Sequence, residues 1–189
     1  MEDYQRALAR NYRVYSDGIS DVSFVAETLA KEYGMLFQVP TPIRDREKVM
    51  AAILQANFLD ISREPLPERL ISILERKYTA LLQADTLFAF GHFTPDFKML
   101  RGGTGWCVQM AMDMGKTIYA YDIDNWTWFQ VRNKRFRLKS EAPSLALESV
   151  ILGSKQIGPI TNNAIQALFH STFSTHLQDL TYRLEEFNL

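Results

Sequence analysis

The run Thr86-Leu87-Phe88-Ala89-Phe90 constrains the fold more than any other segment of the chain. It is almost wholly apolar, and Gly91 ends it. A central strand of a parallel sheet is covered on both faces and therefore has this composition. Because parallel strands are joined by crossover connections, which are usually helices, this strand predicts helices on both sides of it in the sequence.

Strands and helices do alternate along the chain, at the spacing of βαβ units. Apolar residues recur with helical periodicity between short β-prone runs, and prolines or glycines separate the segments. The predicted strands are 12–15, 35–39, 86–90, 117–121 and 149–152, with a further short strand near 97–100. The predicted helices are 21–33 capped by Asp21, 44–58, 66–82, one that ends at Met114-Gly115, and one capped by Thr161 that runs close to Leu189.

This order predicts an α/β protein with a doubly wound, mainly parallel sheet of about five strands. A β-hairpin insertion is expected near 126–138, around Asn133-Lys134, with aromatic residues on its strands. With 189 residues and 47% hydrophobic residues, the chain fits one domain over 1–189.

Charge and cysteine content exclude several classes of function. The formal net charge is −1 with both signs interspersed, which predicts neither a membrane surface nor a general nucleic-acid surface. Cys107 is the only cysteine, so no intrachain disulfide forms. No apolar run approaches the roughly 20 residues of a membrane span, and Met1-Glu2-Asp3 does not open a signal peptide. We therefore expect a cytoplasmic protein.

The segment with the clearest functional pattern is Arg101-Gly102-Gly103-Thr104-Gly105, which precedes a predicted helix. Glycines allow backbone N–H groups to approach a ligand without interference from Cβ atoms. The N-terminus of the following helix adds unpaired donors and a partial positive charge. The pattern predicts a binding site for a phosphate or another anion, and a tight turn without a ligand is the alternative.

Several stretches resemble the SLOG superfamily of Rossmann-like nucleotide-binding proteins, which includes the LOG phosphoribohydrolases and the DNA-processing protein A group. The main ones are Gly102-Gly103-Thr104-Gly105-Trp106, Val108-Gln109-Met110-Ala111 and then Lys116-Thr117-Ile118-Tyr119, and of these only the 102–111 motif is specific. Weaker similarity is carried by Tyr15-Ser16-Asp17-Gly18, Arg76-Lys77-Tyr78 and Ile151-Leu152-Gly153-Ser154-Lys155-Gln156-Ile157. The resemblance spans about residues 12–170 and is closest to uncharacterised phage and bacterial members with a GGTGWxVQMA motif. It implies a Rossmann-like fold and a nucleotide ligand held by its phosphate.

The chain departs from the LOG hydrolases that it resembles at four positions: Arg101 replaces a proline, Trp106 replaces a threonine, and the other two departures bear on function. Their motif, Pro-Gly-Gly-x-Gly-Thr-x-x-Glu, ends in a glutamate that helps to cleave an N-glycosidic bond, and Gln109 occupies that position here. A neutral amide cannot act as a carboxylate base, so the resemblance leaves turnover open. In the turn after the first predicted strand, Asp17 stands where a glycine is usual, and a carboxylate there would repel a phosphate.

The sequence therefore predicts a protein that binds a nucleotide or a nucleotide-derived metabolite, as a sensor or binding protein. The alternatives are a LOG-like hydrolase or transferase acting on N-glycosidic bonds, and an interaction module with a vestigial pocket. The candidate ligand-binding residues are Arg101, Gly102, Gly103, Thr104, Gly105, Trp106, Gln109, Ser16, Gly18 and Arg76. The candidate acid–base residues, should the protein be an enzyme, are His92, Asp17 and Asp122.

The remaining predictions concern metals, cofactors and assembly. His92, His170 and His176 lack the spacing of metal ligands, so neither a metal site nor a cofactor is expected. Cys107 is near a helix N-terminus, where a thiol pKa can fall, but burial is the preferred interpretation. LOG-like relatives pair through helices beside the site, and the resemblance therefore implies a homo-oligomer, a dimer in the simplest case.

Overall fold

In the computed structural model, which describes residues 2–43, 46–55 and 66–187, the strands form one mixed sheet. The described strands are β1 (Arg13–Tyr15), β2 (Leu36–Gln38), β3 (Thr86–Gly91), β4 (Thr117–Asp122), β5 (Thr127–Arg132), β6 (Arg135–Lys139) and β7 (Glu148–Gly153). Their order across the sheet is β2-β1-β7-β3-β4-β5-β6. The first five are parallel, and β5 and β6 continue the sheet as an antiparallel hairpin. The α/β class and the mainly parallel sheet are confirmed, and the described residues contain seven strands where about five were predicted.

Helices cover both faces of this sheet. The described helices are α1 (Glu2–Ala9), α2 (Asp21–Tyr33), α3 (Arg46–Gln55), α4 (Glu68–Leu81), α5 (Gly102–Asp113) and α6 (Pro159–Phe187). On one face, residues of α3, α4 and α5 pack with Leu87 and Ala89 of β3. On the other face, α1, α2 and α6 contribute to a second cluster that contains Phe88 and Phe90. Because alternate side chains from Leu87 to Phe90 enter different clusters, both faces of this buried part of β3 are apolar.

The hairpin between β5 and β6 forms at the predicted turn. Asn133 and Lys134 have φ values of 51° and 59°, and two consecutive positive φ angles are characteristic of the type I′ turn. The predicted hairpin insertion is therefore present, and it extends the main sheet.

Three local predictions need correction, and a fourth lies partly outside the described residues. Ser20, whose side chain accepts a hydrogen bond from the Ser23 N–H, caps α2, and Asp21 is the first helical residue. The last helix begins at Pro159, two residues before the predicted cap Thr161. The predicted strand near 97–100 is absent, and an isolated bridge joins Phe93 to Leu100. The helix predicted over 44–58 is described from Arg46 to Gln55, and 44–45 and 56–58 lie outside the described residues.

None of the described helices combines the length and apolarity that crossing a membrane requires.

Candidate functional site

The loops that follow β1, β3 and β7 meet at the carboxyl edge of the sheet, because all three strands are parallel and adjacent. These loops and one side of α4 enclose a cavity of about 750 Å³. Open α/β sheets bind ligands at this edge, near the point where strand order reverses. Here β1 leads to β2 on one side, β3 leads to β4 on the other, and β7 lies between them.

The glycine segment forms one wall of the cavity. The sequence predicted a turn that precedes a helix, but Gly102 is itself the first residue of α5, with φ +61°. The Gly105 N–H donates to the Arg101 carbonyl over 3.3 Å, which starts the helical hydrogen-bond pattern. The earlier N–H groups of Gly102, Gly103 and Thr104 therefore have no acceptor within the helix, and all three residues line the cavity.

The loop from 92 to 101 returns the chain to the end of β3 before α5 begins. The Arg101 N–H donates to the His92 carbonyl over 2.7 Å, and the bridge between Phe93 and Leu100 closes the loop behind them. His92 and Arg101 consequently lie side by side at the cavity, which both side chains line. His92 Nδ1 is 2.9 Å from an oxygen of Asp124, and both side chains are about half exposed.

In the first glycine turn, which follows β1, side chains of the same segment accept hydrogen bonds from its backbone N–H groups. Asp17 Oδ1 accepts hydrogen bonds from the N–H groups of Ile19 and Ser20, over 3.1 and 3.2 Å, and from the Ser20 hydroxyl. The Gly18 N–H donates to Ser23 Oγ over 3.0 Å. These bonds make the segment a closed Asx-type turn, in which the turn's own side chains use the backbone N–H groups of Gly18, Ile19 and Ser20.

Ser16 also has a structural role beside this turn. Its hydroxyl donates to the Ile151 carbonyl of β7 over 2.5 Å, and the residue is fully buried. The bond ties the end of β1 to its neighbour β7, and neither Ser16 nor Gly18 is among the residues that line the cavity.

Lys77 on α4 contacts both the turn after β1 and the end of β7. It was not among the predicted site residues. Its ammonium group donates to the Gly153 carbonyl over 2.9 Å and lies 3.4 Å from Asp17 Oδ2. That oxygen makes no hydrogen bond with the described residues, so the contact is an ion pair without favourable hydrogen-bond geometry. Both side chains are almost completely buried, at 6% and 0% exposure. The charge of the Asp17 carboxylate is thus compensated by Lys77, and its side chain is buried although Asp17 is among the residues around the cavity.

The cavity carries an excess of positive charge in a chain whose net charge is −1. Four exposed cations line it: Arg69, Arg76, Arg101 and Lys155. None of them has an ion-pair partner among the described residues. The hydroxyl residues Ser72, Ser154 and Thr104 supply further polar lining. The arrangement favours a bound anion, because cations without an ion-pair partner and N–H groups without a helical acceptor line the same cavity.

The predicted residues separate into two groups. Arg76, Arg101, Gly102, Gly103, Thr104, Asp17 and His92 line the cavity. Gly105, Trp106, Gln109 and Asp122 lie outside its lining, as Ser16 and Gly18 do.

The positions of three of these outlying residues have clear physical causes. Trp106 lies on the side of α5 that packs into the core, and its side chain is buried there. Gln109 Nε2 donates to Asp113 Oδ1 over 3.1 Å on the exposed side of the helix. Asp122 is buried and accepts hydrogen bonds from the Asp124 N–H and the Asn125 side chain, which makes it part of a turn.

Arg69, Lys77 and Lys155 line the cavity and were missed. Lys77 had a recognisable signal, because it stands three residues after Leu74 and four before Leu81, within the buried stripe of α4. Lys155 stands two residues after the end of β7, and strand ends are where ligands bind in such sheets. Arg69 carries no comparable signal in the sequence.

Cys107 lies below the cavity floor in the second turn of α5. Its thiol donates to the Gly103 carbonyl, with Sγ 3.0 Å from the oxygen. Burial raises the pKa of Cys107 from 9.0 to about 12, and this effect exceeds the opposing influence of Lys77. The thiol is therefore protonated at neutral pH, and its position near a helix N-terminus does not activate it.

The fold and the cavity define a Rossmann-like α/β protein with a positively charged site at the carboxyl edge of its sheet. Comparisons of the chain with protein-family models, with curated proteins and with solved structures find no match. Among the described residues, no three His, Cys, Asp or Glu side chains cluster in a way that could hold a metal ion.

Proposed function

We propose that this protein binds a nucleotide or a nucleotide-derived metabolite by its phosphate, as a SLOG-like sensor or binding protein. One observation carries the proposal: the unpaired N–H groups at 102–104 open into a cavity lined by four exposed cations. Backbone donors at a helix N-terminus and arginine side chains are both well suited to bind phosphate.

The volume and location of the cavity support a small-molecule ligand. A cavity of about 750 Å³ lies within the usual range for small-molecule sites, which is roughly 300–1,000 Å³. Its position at the carboxyl ends of parallel strands is the position at which Rossmann-like proteins bind nucleotides. The Gly102-Gly103-Thr104-Gly105-Trp106 segment, which resembles the SLOG motif, provides the first turn of the helix there.

Calorimetric titration with inorganic phosphate, AMP and ADP-ribose tests the proposal. We expect saturable binding that is lost in the Gly103→Asp variant, because a carboxylate next to the N–H groups at 102–104 would repel a phosphate and compete for these donors. Ser140→Asp is the matched control, since it adds the same charge at an exposed turn after β6, and it should bind as the parent does. Absence of binding by all three ligands to a folded parent protein would refute the proposal.

A hydrolase is the second candidate, and the contact between His92 and Asp124 favours it. With Nδ1 engaged by the carboxylate, the His92 Nε2 atom is available to accept a proton at the cavity. In hydrolysis of an N-glycosidic bond, water would add its oxygen to the anomeric carbon and its proton would pass to Nε2. The C–N bond would break with its electron pair on the base, which would then take the proton from the imidazolium.

Release of free base from AMP, measured by chromatography, distinguishes the two candidates. If the protein is a hydrolase, His92→Asn should abolish release while AMP still binds with the parent affinity. If the protein only binds, neither the parent nor the variant releases base above the uncatalysed rate.

A further inference from the structure

The α4 wall of the cavity carries a second pair of cations that a single phosphate would not use. Arg69 and Arg76 are separated by two helical turns, about 10.5 Å along the axis, and both line the cavity. A phosphate at the N-terminus of α5 already has three N–H donors and Arg101. The two α4 arginines are exposed and have no ion-pair partner among the described residues, so their charge is available to another anionic group.

The number of positive charges around the cavity also favours two anionic groups over one. A phosphate monoester carries about −1.5 to −2 at neutral pH. Four exposed cations line the cavity, and the buried Lys77 is already compensated by Asp17. One monoester would leave about half of this positive charge without a counterion, whereas two phosphoryl groups would balance most of it.

The lining offers little that would recognise a base. Apart from His92, no described residue of the lining is aromatic, and the apolar lining consists of Ile19, Leu70 and Ile73. Bases are commonly held by stacking on aromatic rings. Trp106, the aromatic residue of the glycine motif, is buried in the core and does not line the cavity.

We propose that the ligand is held through at least two phosphoryl groups and is not selected by its base. The first group binds at the N-terminus of α5 with Arg101, and the second binds at Arg69 and Arg76. This inference rests on the proposed phosphate-binding function and adds the ligand class, a diphosphate or higher phosphate ester.

Titration calorimetry with AMP, ADP, GDP and CDP tests the inference. A second phosphoryl group that gains charge-assisted hydrogen bonds to arginine should raise the affinity for ADP about tenfold or more above that for AMP. The affinities for ADP, GDP and CDP should agree within about threefold, because no stacking surface discriminates among the bases.

The double variant Arg69→Gln/Arg76→Gln should lower the affinity for ADP to that of AMP and leave the affinity for AMP within about threefold. Arg137→Gln is the matched control, since Arg137 is an exposed arginine of β6 outside the cavity lining, and it should change neither affinity. Thermal unfolding of each variant checks the fold, and the single variant Arg76→Gln replaces the double variant should the latter unfold.

The failures of the two proposals are distinguishable. Equal affinities for AMP and ADP, or an equal loss of both in the double variant, would overturn the inference and leave phosphate binding intact. A preference of more than about tenfold for one base would likewise overturn it. Absence of binding by every ligand to the folded parent would overturn the phosphate-binding function itself.

Discussion

Two glycine turns occupy equivalent places in this fold, one after β1 and one after β3, yet they differ in what their backbone donors contact. In the turn after β1, the N–H groups of Gly18, Ile19 and Ser20 are taken by side chains of the same segment. In the turn after β3, the N–H groups at 102–104 precede the first helical hydrogen bond and open into the cavity. Glycine content alone therefore does not identify an anion site.

The difference follows from the side chains beside each glycine. Asp17 and Ser23 supply acceptors that fold back on the first turn, and Lys77 neutralises the carboxylate from behind. The second turn has no acidic residue among its first four, and its Thr104 packs against Gly91. A carboxylate next to a glycine turn thus closes it, whereas its absence leaves the donors available to a ligand.

Removal of the Lys77 ammonium should produce the largest effect, because the first turn depends on it. We expect Lys77→Met to lower the free energy of unfolding by about 3–5 kcal/mol, since Asp17 would remain as a buried and unpaired carboxylate. Urea denaturation measures the loss. Adding Asp17→Asn to this variant should recover part of it, because the amide carries no charge.

Lys31→Met is the matched control for Lys77→Met. Lys31 pairs with Glu27 over 2.6 Å on the exposed surface of α2, with 70% of the Lys31 side chain exposed. Exposed pairs contribute at most about 1 kcal/mol. A loss in the Lys77 variant no larger than in this control would show that the first turn does not depend on the buried pair.

Cys107, which lies beneath the second turn, should be protected from thiol reagents. With its pKa raised to about 12 by burial, its thiolate fraction at pH 8 is about a thousandfold lower than that of an unfolded cysteine. Modification by a maleimide should therefore be slow in the native protein and fast in urea. Rapid modification of the native protein would mean that the floor of the cavity opens.

The same pKa shift has a defined effect on stability. The thiol has its ordinary pKa of 9.0 when unfolded and ionises only near pH 12 when folded. Its contribution to stability is therefore complete below pH 9 and is lost as the pH rises from 9 towards 12. Cys107→Ser should reduce this part of the alkaline destabilisation, which urea titrations at several pH values would measure.

Alanine substitutions in the two turns should separate folding from binding. Gly18 has φ +71°, and a Cβ there would lie 2.8 Å from Val39 Cγ1, so Gly18→Ala should destabilise the fold by at least about 1–2 kcal/mol. A Cβ on Gly103 would meet only Leu74, at 3.8 Å, so Gly103→Ala should change stability by no more than about 0.5 kcal/mol. Its methyl group should nevertheless weaken phosphate binding about tenfold. The reverse pattern, with stability lost only at Gly103, would contradict a structural role for the turn after β1 and a binding role for the glycines at 102–103.

Sequence patterns predicted the fold wherever local interactions decide it. The apolar run of β3 and the pair of turn residues at Asn133 and Lys134 each specify an element without help from distant residues. The strand near 97–100 was mispredicted because its β-prone residues belong to a loop in which Phe97 has φ 55°. Leu100, at the end of the same loop, is fully buried, so burial in the core explains the apolar character of that residue.

The cavity was only half predicted, because long-range contacts assemble it. The glycine motif and Arg101 are contiguous, and the sequence shows them directly. The pairing of Lys77 with Asp17 joins residues 60 positions apart, and no local pattern reports it. Gln109 was expected at the ligand because of its place in the motif, but the rotation of α5 turns that position away from the cavity.

Gln109→Glu should therefore have the smallest effect of all these substitutions. It introduces the residue that LOG hydrolases carry at the corresponding motif position, but residue 109 lies outside the cavity lining and contacts Asp113. Two like charges four residues apart on a helix should lower the free energy of unfolding by about 0.2–0.5 kcal/mol. No base should be released from AMP, and chromatography of the reaction mixture measures this. Release by the variant alone would mean that position 109 reaches the bound nucleotide, and that the second turn binds its ligand on the other side of α5.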